Sequence, residues 1–224
     1  MLILMGTALA GTFGDPVRPT HLVSLDVGVG TSLVGQRVPD CEGERCVGWS
    51  FERAQSLRLG SQPIPALGAW VELGVGQTAV EGAAFSSSAG LVGGGLRLSL
   101  PREGLRPAAV LDFSRSRGPL NPNLGGDAYS AWRGEAALVA AFAGDQASAW
   151  LGPYGVIGSS GLFLHPEDIQ LELVPAVPVG AVIGAELFSE PLSIWRDRAG
   201  QLSAGAELKV GYGMSLGAWL GYAY

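Results

Sequence analysis

Charge is scarce in this chain. Only 15% of its 224 residues are charged, the formal net charge is −6, and Lys209 is the sole lysine. A protein that grips nucleic acid needs a basic footprint, so that class of partner is excluded. Two histidines, His21 and His165, and two cysteines, Cys41 and Cys46, are too few and too isolated for a metal centre. Long apolar runs are missing as well: nothing inside the body reaches the roughly 18 uninterrupted residues of a spanning helix. Gly93-Gly94-Gly95 lies within a strand-like run and precedes no helix, so no phosphate-cradling loop is read there, and no cofactor is implied.

Glycine and alternation are what the chain has instead. Glycine supplies 35 residues, against a usual share of about 7%. Hydrophobic residues make up 47% of the chain, so the apolar content must be spread by alternation. Glycine at every second position suits a tightly curved sheet whose concave side has little room. Residues 2–10 form an apolar run ending in Ala8-x-Ala10, which a signal peptidase would cut before Gly11, although no positive leader stands in front. The expected organisation is a signal-peptide-like segment over 1–10 and a single barrel domain over 11–224. In an oxidising compartment Cys41 and Cys46, four residues of polar loop apart, are expected to close a small disulfide loop.

Ten segments alternate with period 2: 21–34, 50–60, 66–76, 90–100, 106–115, 129–143, 148–159, 178–188, 202–210 and 215–224. In the first, Val23, Leu25, Val27, Val29 and Leu33 share a face against Ser24, Asp26, Gly28, Gly30 and Ser32. Each is about as long as the 9–11 residues that a tilted membrane strand requires. The connections alternate too. Residues 35–49, 77–89, 116–128 and 160–177 are long, whereas 61–65, 101–105 and 144–147 are short, the rule for barrels that cross a membrane. Only the last pair, 189–201 and 211–214, breaks the rule. Extra strand in 191–195, or in 172–177, would alter the count, which leaves eight or twelve strands as alternatives to ten. The expected fold is all-β: a closed, antiparallel, up-and-down transmembrane β-barrel.

The closing residues Tyr222-x-Tyr224, the strand entry Pro153-Tyr154-Gly155, the signal-like start and the alternation over nearly the whole chain resemble the small Gram-negative outer-membrane barrels. That group includes the OmpA transmembrane domain and OmpX-like proteins. The resemblance implies a bacterial outer-membrane location, a lipid environment, and recognition of Tyr222 and Tyr224 by the barrel-assembly machinery. Departures are visible: the element usually ends in Phe, and Trp219 stands where a glycine is expected. The match is to a class, and it transfers no functional motif.

In such a barrel the hydrophilic phase carries Asp26, Glu72, Arg97, Asp112, Arg133, Glu135, Glu186, Glu207 and Lys209 into the lumen. Charges inside a low-dielectric wall must be paired or hydrated, so the first expectation is a salt-bridged, watered plug. Its role would be structural, or lie in the surface loops and a partner the sequence does not name. A narrow cation path is the alternative. A lipid-modifying enzyme would draw on Ser159, Ser160, His165, Glu167 and Asp168, but clustering in sequence is not a triad, and no enzyme is expected. A soluble lipocalin-like barrel would need charge outside and oil inside. Trp49, Phe51, Tyr129, Trp132, Phe142, Trp150, Tyr154, Phe188, Trp195 and Tyr224 are read as interfacial aromatics, and Trp70 and Trp219 as lumen-filling.

Overall fold

The computed structural model describes residues 12–18, 21–37, 47–80, 86–100, 104–119, 128–163, 174–175, 179–195, 198–211 and 213–224. The segment 1–10, with its expected cleavage site, and Cys41 and Cys46 lie outside them. The strands are β1 His21–Arg37, β2 Val47–Ile64, β3 Leu67–Val80, β4 Ser86–Ser99, β5 Leu105–Pro119 and β6 Ala128–Ala143. They continue as β7 Ala147–Phe163, β8 Val174–Pro175, β9 Val179–Phe188, β10 Leu192–Trp195, β11 Arg198–Val210 and β12 Gly213–Ala223. Ten of them, all but β8 and β10, form a closed antiparallel barrel in which each strand pairs with its sequence neighbours.

Closure is made by β1 and β12, in continuous register from Ser24↔Ala223 to Val34↔Gly213. Beyond it, the Leu22 and Val23 N–H groups donate to the Tyr224 carbonyl at 2.8 and 3.2 Å. Tyr222 pairs with Leu25 on one side and Leu202 on the other. The two C-terminal tyrosines therefore lock the seam, and no strand edge is left unpaired along it.

The two short strands explain the irregular connections. Leu192–Trp195 folds back on β11 through Leu192↔Gly200 and Trp195↔Arg198, and does not span. Val174–Pro175 pairs with Arg37 and Gln36, where β1 outruns the shorter β12. These two residues thereby pair with an edge that the barrel's uneven strand lengths expose. Neither piece changes the count of spanning strands.

Polarity is inverted relative to a soluble protein. Large aliphatics point outward and stay exposed, with Leu73 at 60%, Leu138 at 66% and Leu220 at 69%, while carboxylates and guanidiniums are buried inside. A soluble ligand-binding barrel has the opposite arrangement, so that alternative fails. The apolar belt ends, toward the long connections, in the stacked pair Phe113–Trp132, 5.9 Å apart, with exposed Arg115 and Arg117 beyond it on β5. Leu73→Arg, in the middle of the belt on β3, is expected to destabilise the inserted barrel by about 2–4 kcal/mol. Urea unfolding in lipid vesicles measures it, and an unchanged midpoint would remove Leu73 from the lipid-facing surface.

Several of the aromatics do not follow the interfacial reading. Phe142, Trp132 and Tyr224 are exposed, but Trp150, Tyr154 and Phe188 are buried in the lumen. On β7 and β9 the inward phase passes through these rings, and Gly184 makes the space: a Cβ there would lie 2.2 Å from the Trp150 ring. Trp70 and Trp219 are also buried. The side chains of Trp49, Phe51, Tyr129 and Trp195 lie outside the described set.

Candidate functional site: the lumen and its internal segment

The barrel is occupied by its own chain. Residues Thr12–Arg18, just ahead of β1, run inside the lumen, and Phe13 to Arg18 are buried. Gly14 takes the left-handed conformation, φ 71°, that bends this segment, and a side chain there would strike the Arg58 guanidinium. At Gly217 a Cβ would fall 2.0 Å from the Thr12 methyl, so the wall of β12 is thinned to a bare backbone where the segment touches it.

Six strands hold this segment by polar contacts. The Phe13 N–H donates to Glu207 Oε1 of β11 at 2.9 Å. Arg58 of β2 donates to the Thr12 carbonyl, and Arg97 of β4 to the Asp15 carbonyl. The Asp15 carboxylate accepts from Ser148 Oγ of β7 at 2.7 Å and from the Val17 N–H at 2.8 Å, which fixes the turn. Arg18 bonds both oxygens of Asp26 on β1 at 3.0 Å, and its other amino group bonds Glu186 on β9. One guanidinium thus ties β1 to β9 across the two strands between them, in the forked geometry that arginine favours.

Phe13 sets the apolar half of the contact. Its ring meets Tyr154 edge-on at 6.3 Å, and Lys209 Nζ stands 3.7 Å above its face. Lys209 also bonds Glu135 at 2.7 Å and faces Glu207 at 3.8 Å. Arg133 bonds the other oxygen of Glu135. Trp150 stacks on Trp219 at 6.1 Å and donates its indole N–H to Glu207 at 3.3 Å. On the other side of the lumen Arg58 pairs with Glu72 at 3.0 Å, and Arg58 and Arg97 lie 5.0 and 5.1 Å from the Trp70 ring.

All nine charged residues read from the sequence are buried in this lumen: Asp26, Glu72, Arg97, Asp112, Arg133, Glu135, Glu186, Glu207 and Lys209. The structure gathers Arg133, Glu135, Glu207 and Lys209 into one cluster around Phe13. It brings Asp26 and Glu186 together only through Arg18.

No protein-family model matches the sequence, and no characterised protein matches it. Solved structures do match. The COG4313 outer membrane channel from Pseudomonas putida F1 superposes with a TM-score of 0.50 at 11% identity, over 94% of this chain and 98% of that one. The fold is that of the outer-membrane β-barrels. The transport unit of the autotransporter AIDA-I from Escherichia coli aligns with a TM-score of 0.43 at 12% identity, over 92% of this chain and 91% of that one. The translocator domain of NalP from Neisseria meningitidis gives 0.43 and 12%, over 92% and 89%.

Three charged residues of the barrel's interior escaped the sequence reading. Arg58 sits on β2 in phase with Ser56, Gly60 and Gln62, a phase visible in retrospect once Arg53 is placed on the outer face. Asp15 and Arg18 precede the first alternating segment and carry no periodic signal. Of the hydrolase-like cluster, Ser159 and Ser160 fall in β7 opposite Arg133 and Trp132, while His165, Glu167 and Asp168 lie outside the described residues.

Proposed function

We propose that this chain is an outer-membrane barrel whose lumen is held shut, and that its role is structural or is exercised through its long connections. The observation that supports this reading is the internal segment: seven residues, Thr12–Arg18, fastened to six strands by charge-assisted and backbone hydrogen bonds. Buried ions are stable only where they are paired with good geometry, and here the pairs run between the segment and the wall. The segment therefore fits as a resident part of the interior. Purified protein in planar bilayers is expected to show no stepwise conductance; reproducible steps in the wild type would overturn the reading.

A narrow channel is the second reading, and one feature favours it. Toward the long connections the inward positions are small: Gly30 and Ser32 on β1, Ala54 and Ser56 on β2, Gly74 and Gly76 on β3, Ser114 and Ser116 on β5. The COG4313 protein is itself described as a channel. The same bilayer recording decides between the two.

A further inference from the structure

Among the described side chains, the arginines that point outward from the barrel wall are Arg53 on β2 and Arg115 and Arg117 on β5, and all three are exposed. They share a level. Arg53 lies eleven residues before the end of β2 at Ile64, Arg115 and Arg117 lie ten and twelve after the start of β5 at Leu105, and Trp132 lies eleven before the end of β6 at Ala143. A tilted strand crosses the hydrocarbon in about 9–11 residues, so the three charges and the indole emerge where acyl chains give way to headgroups. The outward residues below them are apolar: Leu57 and Leu59 on β2, Leu111 and Phe113 on β5, and Leu138 on β6. Glu72, Asp112 and Glu135, the carboxylates described on β3, β5 and β6, are buried in the lumen on the opposite face.

Arg115 and Arg117 stand on one face of β5, about 7 Å apart along the strand. Beside them β4 is nearly bare. Arg117 pairs with Gly90, Arg115 with Val92 and Phe113 with Gly94, and a Cβ at Gly90 would meet only the Arg117 carbonyl, at 3.8 Å. Beyond β4 the surface rises again in Val75, Leu73 and Val71 of β3, the partners of Gly90, Val92 and Gly94. A trough therefore follows β4 from Gly90 to Gly94, flanked by three exposed aliphatics on β3 and by Arg117, Arg115 and Phe113 in turn on β5. On the far side of β5, Trp132 is the cross-strand partner of Arg115 and stacks on Phe113 at 5.9 Å. The upper rim is cationic and the rest is oily, the polarity of a lipid whose phosphate stands above an acyl chain.

We propose that Arg115 and Arg117 bind a phosphate of a lipid A-type glycolipid in the outer leaflet, with one of its acyl chains lying in the trough over Gly90 and Gly94. The guanidinium fork offers paired N–H donors to phosphate oxygens, and two forks on one face of a strand can grip one phosphate from both sides. Long connections mark the outward end of such a barrel, which puts the arginines in the leaflet that carries this lipid. The proposal rests on the outer-membrane location and is independent of whether the lumen conducts.

Native mass spectrometry of the detergent-solubilised barrel, titrated with lipid A, is expected to show one lipid retained per chain. Arg115→Gln combined with Arg117→Gln alters only exposed side chains and should weaken that binding about 30-fold, roughly five-fold for each charge lost beside an anionic headgroup. Gly90→Leu fills the trough without changing charge and should weaken lipid A in the same direction. Lipid A stripped of its phosphates should bind the wild type no better than intact lipid A binds the double glutamine variant. Equal affinity of the wild type and that variant for lipid A would overturn the inference. So would phosphatidylglycerol binding as tightly as lipid A, which would make the arginines an unselective anionic surface.

Discussion

Deleting residues 12–18 is expected to give a barrel that carries current in discrete steps. The segment's volume leaves, and with it go Phe13 from between Tyr154 and Lys209 and Arg18 from between Asp26 and Glu186. What stays on the wall is unbalanced: Asp26, Glu72, Asp112, Glu135, Glu186 and Glu207 against Arg58, Arg97, Arg133 and Lys209. An acidic excess in a narrow, water-filled lumen selects cations, so the steps should reverse at a potential set by the cation gradient. Ten strands make a barrel too narrow to conduct through packed side chains, but the small inward residues toward the long connections and the vacated segment together leave a path. Planar-bilayer recording with asymmetric potassium chloride measures it. A deleted chain that inserts, shifts on heating in gels, and still passes no current would show that wall side chains alone close the lumen.

Lys209→Met should destabilise the barrel by about 3–5 kcal/mol, the usual cost of removing one member of a buried ionic group. Lys209 is the chain's only lysine, its ammonium is buried, and it serves Glu135, Glu207 and the Phe13 face at once. Glu135 keeps Arg133, but among the described residues Glu207 keeps hydrogen bonds from neutral donors only, the Phe13 N–H and the Trp150 indole. Glu207 is therefore the charge left stranded. Glu207→Gln in the Lys209→Met background should return part of the loss, because it removes the uncompensated anion and keeps a carbonyl acceptor for one of the two donors. The four-protein cycle, read by urea unfolding in vesicles, isolates the coupling. Equal losses in the single and double variants would mean that Lys209 acts through packing on Phe13 and not through charge.

Much of this architecture was legible because alternation is a local property. A strand that faces lipid on one side must place apolar groups at every second position, and slipping by one residue would turn them all inward. That is why 21–34 already separates Val23, Leu25, Val27 and Val29 from Asp26, and why all nine luminal charges fall on one phase. The reading failed where a side chain's chemistry and its position disagree. Trp150, Tyr154 and Phe188 are apolar yet point inward, because large rings fill the lumen over glycine. The short strand Val174–Pro175 is equally invisible, since it exists only because β1 outruns β12.

Sequence alone determined the spanning segments, their inward and outward faces, and the charges that must lie inside, since each follows from a period of two along a single strand. Only the tertiary structure decided what fills the interior. Asp15 meets Ser148, and Arg18 meets Glu186, across separations of 133 and 168 residues. A non-repeating segment acquires its place from partners that the closed wall brings around it, and no pattern within the segment itself records who those partners are.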